Sequence, residues 1–438
     1  MATREITTNP APLPRASAAA VDQNYTRPLA IVTTLFFMWG FLTCLNDILV
    51  PHLKSIFDLS YAHVMLIQFA FFSAYFLFSI PWSKIVNAIG YQNTMVAGLL
   101  CMTVGAFLFI PAASNASFPL FLGALIVLAA GITGLQVAAN PYVVVLGKPQ
   151  TASSRLDLTQ AFNSFGTAIA PKIGGLLILS AAPLGVAEMQ SLPPQALHLY
   201  RVQQAASVKM PYLVIGITLL LLAVMIALSK LPKIGHAEFR PGEKISDSVW
   251  KHPNLIFGAL GIFAYVGAEV SIGSFLVNYF GQPDIAAFSA KTAAGYVSFY
   301  WLGAMIGRFL GAYLLRKIKA GHLLAIFALC TSALVTLSML TNGHVAMWTI
   351  LAVGLFNSIM FPTIFSLGVA ELGPLTGNAS GLLNMAIVGG AVIPLLQGVI
   401  ADRIGIHHAF FVPVICYLYI LFYALNGSKP NSERYANA

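Results

Sequence analysis

The sequence predicts an all-α membrane protein, with twelve transmembrane helices arranged as two pseudo-symmetric six-helix bundles. Three observations carry that prediction. Of 438 residues, 58% are hydrophobic and only 8% charged, where soluble domains carry about 25% charged residues; mean hydropathy is +0.81. The apolar runs are long and unbroken, as at 29–45, 95–113 and 212–228. Each is near the roughly 20 residues that cross hydrocarbon as a helix, and none alternates like a barrel strand. Finally, motifs of the first half return in the second at a near-constant offset. A soluble enzyme and a nucleic-acid-binding module are excluded, despite a formal net charge of +9.

Breaks at Pro, Gly and charge clusters set the spans. A polar, Pro/Ala-rich tail, 1–29, has no apolar signal-peptide core, so the first span, 30–50, is expected to be retained. Spans 62–83 and 92–112 lie either side of Lys84, and 118–146 ends before Gly147-Lys148. Spans 156–181 and 211–230 complete a first bundle, 30–230. The basic loop 231–252 separates it from a second bundle, 253–426, with spans 253–280, 292–315, 321–340, 345–369, 377–401 and 408–426. A tail, 427–438, follows. Sixteen of the 23 Lys and Arg residues fall on the side of the termini and five on the other. The positive-inside rule then places both termini in the cytoplasm of a multi-pass inner-membrane protein, so the basic excess reflects topology. The four cysteines fall within spans with no C-x-x-C pair and read as free thiols.

The offset is 221 for Pro141 and Pro362, and for Asn163 and Asn384; at 222, Asp47 maps onto Glu269. Parallel six-helix repeats are the architecture of major facilitator transporters, which bind substrate near the midplane between the halves.

Ionisable groups inside hydrocarbon cost at least about 2.5–3.5 kcal/mol and mark function by default. Two acids lie deep in predicted spans, Asp47 and Glu269, while Asp157 and Glu371 read as solvated helix ends. Amides form a second layer. Gln136 and Asn140 share one helix face, as do Gln160 and Asn163, and Tyr265 and Glu269. Asn46, Asn278, Asn357 and Asn384 add further amides, and Trp39 is an aromatic face near the first acid. Amides both donate and accept, which suits a neutral polyhydroxylated ligand. Gly303, Gly307 and Gly311 form a small-residue packing seam. Arg308 within it either snorkels or pairs with a cavity acid. The fragment Gly377-Asn-Ala-Ser380-Gly381 looks like a nucleophile loop without a placed His, and no metal or phosphate-binding motif accompanies it.

Five segments, Leu45-Asn-Asp-Ile-Leu-Val-Pro51, Ala138-Ala-Asn-Pro-Tyr-Val-Val-Val-Leu-Gly147, Gln160-Ala-Phe-Asn-Ser-Phe-Gly166, Tyr265-Val-Gly-Ala-Glu-Val-Ser-Ile-Gly-Ser274 and Phe361-Pro-Thr-Ile-Phe-Ser-Leu-Gly368, resemble the fucose:proton symporter family of the major facilitator superfamily. Its glucose/galactose transporter branch is the nearest in kind. The resemblance implies an essential carboxylate at Asp47. It also implies a titratable Glu where this chain has Gln136, and that departure favours Na⁺ over H⁺ as the co-transported ion.

The function expected is import of a hexose (glucose, galactose, or a relative such as N-acetylglucosamine, mannose or fucose) by cation symport through rocker-type alternating access. Asp47, Asn46 and Glu269 are expected to couple the cation, with Na⁺ near Asp47. Gln136, Asn140, Gln160, Asn163, Tyr265, Glu269, Asn278, Asn357, Asn384 and Trp39 are expected to bind sugar. No enzyme activity, cofactor, structural metal or nucleic-acid partner is expected; lipid surrounds a monomer. A uniporter or a non-transporting sugar sensor on the same fold is the alternative.

Overall fold

The structure, a computed structural model, describes residues 25–57, 61–115, 117–178, parts of 192–203, 208–232 and 248–430; the side chains at 43–66, 68, 171–178 and 290 lie outside the described set. The helices are α1 (Thr26–Phe57), α2 (Tyr61–Ser114), α3 (Phe118–Val145), α4 (Ala152–Ile178), α5 (Lys209–Leu228), α6 (Pro253–Phe280), α7 (Ala290–Leu314), α8 (Ala320–Leu340), α9 (Gly343–Asn357), α10 (Met360–Gly368), α11 (Thr376–Met385), α12 (Gly389–Ile404) and α13 (Phe411–Phe422). They form the twelve spans predicted. α2 is two spans joined at Gly90, whose φ of 81° breaks the helix in a conformation that glycine alone adopts freely. α9 with α10, and α11 with α12, are single spans interrupted near their middle. Gly405, at φ 86°, makes the turn into the last span.

Eight helical stretches among the described residues are long and apolar enough to cross a membrane. Two that fall short are instructive. α4 carries Arg155, Asp157, Gln160 and Asn163, and α7 carries Lys291 and Arg308. These two polar helices pack on each other, one from each bundle, so much of their polarity faces protein rather than lipid. The outward-facing surface is apolar, with Leu221, Leu395 and, on α7 itself, Phe299 and Trp301 exposed.

Glycine sets the tightest packing. Gly303 meets the backbone of Leu355, Gly307 the carbonyl and side chain of Leu355 and Ser358, and Gly311 meets Ile359. The seam predicted within α7 thus lies against α9 and the break that follows it. Gly354 of α9 returns the contact against the Tyr300 backbone. Close approach of this kind gives membrane helices the van der Waals contact that drives their association.

The repeat-related prolines have a shared consequence. Proline lacks an N–H, so the carbonyl four residues earlier has no helical donor. For Pro141 that carbonyl is Val137, and Ser380 Oγ of α11 donates to it at 2.8 Å. For Pro362 it is Ser358, and Arg308 Nε donates to it at 3.3 Å. The prolines thus create acceptors, and side chains from other helices fill them.

Among the described residues, hydrogen bonds between the bundles concentrate toward the end where the termini lie. Ser153 Oγ and Ser366 Oγ are 2.6 Å apart, and Ser154 Oγ donates to the Ala312 carbonyl at 2.6 Å. Asn87 Nδ2 donates to Asn378 Oδ1 at 2.6 Å. The Ser380–Val137 bond belongs to the same junction. Ser380→Ala is expected to weaken it by about 0.5–1.5 kcal/mol, read as faster amide hydrogen exchange across 376–388. Unchanged exchange would mean that the hydroxyl contributes nothing to the junction.

Candidate functional site

Glu269 is at mid-helix in α6, four residues after Tyr265, so the two side chains share a face. Tyr265 donates its hydroxyl proton to Glu269 Oε1 at 2.7 Å. From α7, Arg308 brings a guanidinium nitrogen to 3.9 Å from the same oxygen. Arg308 also donates to Ser164 Oγ of α4 across the bundle interface and to the Ser358 carbonyl. The pairing alternative for Arg308 is therefore the one observed. The glycine seam makes it possible, because α7 sits close enough to α9 for the side chain to reach Ser358. The Arg308 and Glu269 side chains keep 15% and 14% of their surface accessible, so this ion pair is reachable by a small polar ligand. At 3.9 Å it is too long for a direct hydrogen bond.

Around this pair the second bundle sets further polar groups. Asn357 Nδ2 donates to Tyr300 OH at 2.7 Å, leaving its Oδ1 without a protein partner. Tyr417, wholly buried, shares the electrostatic neighbourhood of Tyr300, Tyr265 and Glu269. Asn384 Nδ2 donates to the Ser380 carbonyl at 2.8 Å, and its Oδ1 is likewise unpartnered.

In the first bundle, Gln136 Nε2 donates to Tyr75 OH at 2.6 Å. Asn140, one turn on, is buried with neither amide atom bonded, and Gln160 Nε2 is buried and unbonded. Buried polar atoms are normally satisfied, and among the described residues these amide groups of the two bundles are left open.

Not every predicted residue joins this group. Asn163 Nδ2 donates to the Phe36 carbonyl at 2.9 Å, where Gly40 admits it, and so ties α4 to α1. Asn278 is exposed, nine residues beyond Glu269 and so about 13 Å further along α6. Trp39 is half-buried, its ring 5.5 Å from that of Phe36. Asn46 and Asp47 lie on α1, but their side chains are outside the described residues, as is that of Lys172. Asp157, read as a solvated helix end, is wholly buried, because the second bundle covers it. Tyr75, Ser164 and Tyr417 were not anticipated. Tyr75 and Tyr417 stand in apolar, aromatic-rich runs where nothing local distinguishes them. Ser164 had a signal, since it lies four residues after Gln160 and shares its face.

Comparison with known proteins gives one consistent result. Residues 30–393 match the Major Facilitator Superfamily. A glucose/galactose transporter of Brucella abortus biovar 1 (strain 9-941) is 52% identical over 408 residues, covering 93% of this chain and 96% of the relative. The L-fucose-proton symporter of Escherichia coli (strain K12) is 35% identical over 414 residues, covering 93% and 94%. The crystal structure of the transporter FucP in the outward conformation superposes with a TM-score of 0.85 at 34% identity, covering 92% of this chain and 99% of that one. These relatives are membrane transporters, not enzymes.

Proposed function

The chain belongs to the Major Facilitator Superfamily, and from that premise we propose that it imports a hexose by symport with a cation. The observation that carries this reading is the Tyr265–Glu269–Arg308 group with its open amides. A sugar hydroxyl set beside Arg308 and Glu269 accepts from the guanidinium and donates to the carboxylate. Neighbouring hydroxyls meet Asn140, Gln160, Asn357 and Asn384, which offer both donors and acceptors. Charge-assisted hydrogen bonds to the ion pair are the strong ones, and the amides set orientation. The relatives named as glucose/galactose transporters support this substrate class.

The coupling ion belongs at Asp47, beside Asn46. Glu269 already faces Arg308, and a second cation there would meet like charge. Gln136 is bonded to Tyr75 and cannot take up a proton, so Na⁺ is the ion this residue set favours. In the rocking motion residues 30–230 turn against 253–426, with both termini in the cytoplasm and the protein acting as a monomer in the inner membrane. Substrate class is tested by displacement of labelled D-glucose from the purified protein by D-galactose, D-mannose, D-fructose, L-fucose and N-acetyl-D-glucosamine. Competition by at least one hexose is expected; binding of none contradicts a hexose site. Binding without counterflow exchange in liposomes would identify a sensor.

A further inference from the structure

Five acids have described side chains, and three of them, Asp284, Glu371 and Asp402, are exposed. Glu269 is in the candidate site, which leaves Asp157. It is 0% exposed, and neither carboxylate oxygen has a hydrogen-bond partner. It lies between the bundles, pressed against Gly311 of α7, where any added side chain would meet Asp157 Oδ2 and Ile359. The adjacent turn of α4 carries Ser153 and Ser154, whose contacts to Ser366 and Ala312 close the seam over it.

The cation whose field reaches Asp157 is Arg308. Arg308 and Gly311 are three residues apart and share a face of α7, so Arg308 is rooted one turn from the residue that Asp157 touches. On α4, Asp157 and Ser164 are seven residues apart and also share a face, and Ser164 now accepts from Arg308. Among the described residues, α3 and α10, which pack on α4, contain no charged residue. α1 carries Arg27 in its first turns and Asp47 and Lys54 well along its length, while Lys209 begins α5 at the opposite end. On α4 itself, Arg155 donates to the carbonyls of Val144 and Lys148. An unpaired buried carboxylate costs several kcal/mol, a cost that a neutral carboxyl group avoids.

We propose that Asp157 is a second seat for Arg308 and thereby a positioning residue for the sugar site. When sugar occupies Glu269 and the bundles part at the cytoplasmic end, Asp157 gives its proton to entering water and the carboxylate takes the guanidinium. On reclosure Asp157 recovers a proton from that water and Arg308 returns to Glu269. The exchange is with cytoplasmic water on both strokes, so it adds no ion to the transport stoichiometry. It does make the step sensitive to pH on that side. This inference rests on the transport reading above.

The test is sugar exchange in proteoliposomes, using labelled D-glucose, D-galactose or N-acetyl-D-glucosamine as the displacement panel selects. PH is varied on the cytoplasmic face and clamped on the other. Because each cycle both releases and recovers the Asp157 proton at the cytoplasmic face, wild-type exchange is expected to vary at least about fivefold with pH on that face, falling on both sides of an optimum. Asp157→Asn is expected to exchange about tenfold more slowly with no dependence on that pH, while sugar affinity stays within about twofold. Wild-type rate and profile in Asp157→Asn overturn the inference. Should that variant not assemble, the wild-type protein decides: a flat profile, or an equal response to pH on the other face, overturns it. Wild-type protein that moves no sugar overturns the transport reading and this inference together, which separates the two failures.

Discussion

Arg308→Met is expected to lower sugar affinity at least about a hundredfold and to destabilise the protein by about 3–5 kcal/mol, because it strands a buried carboxylate that has lost its cation. Arg308 bonds Ser164, the Ser358 carbonyl freed by Pro362, and pairs with Glu269. One substitution therefore opens three polar positions, on α4, on α6 and in the break between α9 and α10. Pairing it with Glu269→Gln removes the uncompensated charge, so the double variant should recover most of the stability but none of the affinity. Thermal unfolding in detergent and sugar titration of the purified proteins measure the two effects separately. Equal stability losses in the single and double variants would mean that Glu269 and Arg308 are not energetically coupled.

The second large effect is at Asp47. Asp47→Asn is expected to abolish cation-driven accumulation, a loss of about a hundredfold or more, equivalent to roughly 3 kcal/mol. Sugar-for-sugar exchange without a gradient should persist, because the sugar contacts proposed at Glu269, Arg308 and the amides remain. Parallel uptake and counterflow measurements distinguish the two. Accumulation intact in Asp47→Asn would move the coupling role to another residue.

Much of the architecture was legible in the sequence. Lipid demands long apolar helices, and that demand marks most of the spans, so run length together with breaks at Pro, Gly and charge clusters located them. Glu269 was legible for the complementary reason, since an acid in an apolar run has few explanations. Its partner was not settled, because whether Arg308 turns inward depends on how closely α7 approaches α9, a distance set by glycines meeting backbone on another helix. Asp157 was misread because helix-end position normally implies solvent, and only the opposing bundle removes it. The offset pairing of Asn163 with Asn384 holds as position but not as bonding. One reaches a carbonyl of α1 and the other a carbonyl of its own helix, a difference made by Gly40 and by nothing local to either asparagine.

The prolines show how sequence symmetry becomes asymmetric mechanism. Pro141 and Pro362 each free one carbonyl, at equivalent positions of the repeat. The first is filled across the bundle interface by Ser380, the second within its own bundle by Arg308. In the rocking motion proposed, the first contact breaks and the second need not. Arg308 can therefore remain attached to α10's entry while exchanging its other partners.

The protein is proposed to use a cation gradient to concentrate sugar. The most direct test is uptake of labelled sugar into liposomes holding only the purified protein, with a Na⁺ gradient or a pH gradient imposed in separate experiments. Accumulation above the external concentration under the Na⁺ gradient, collapsing when that gradient is dissipated, is the predicted result. Equilibration to the external concentration and no further under either gradient would contradict symport.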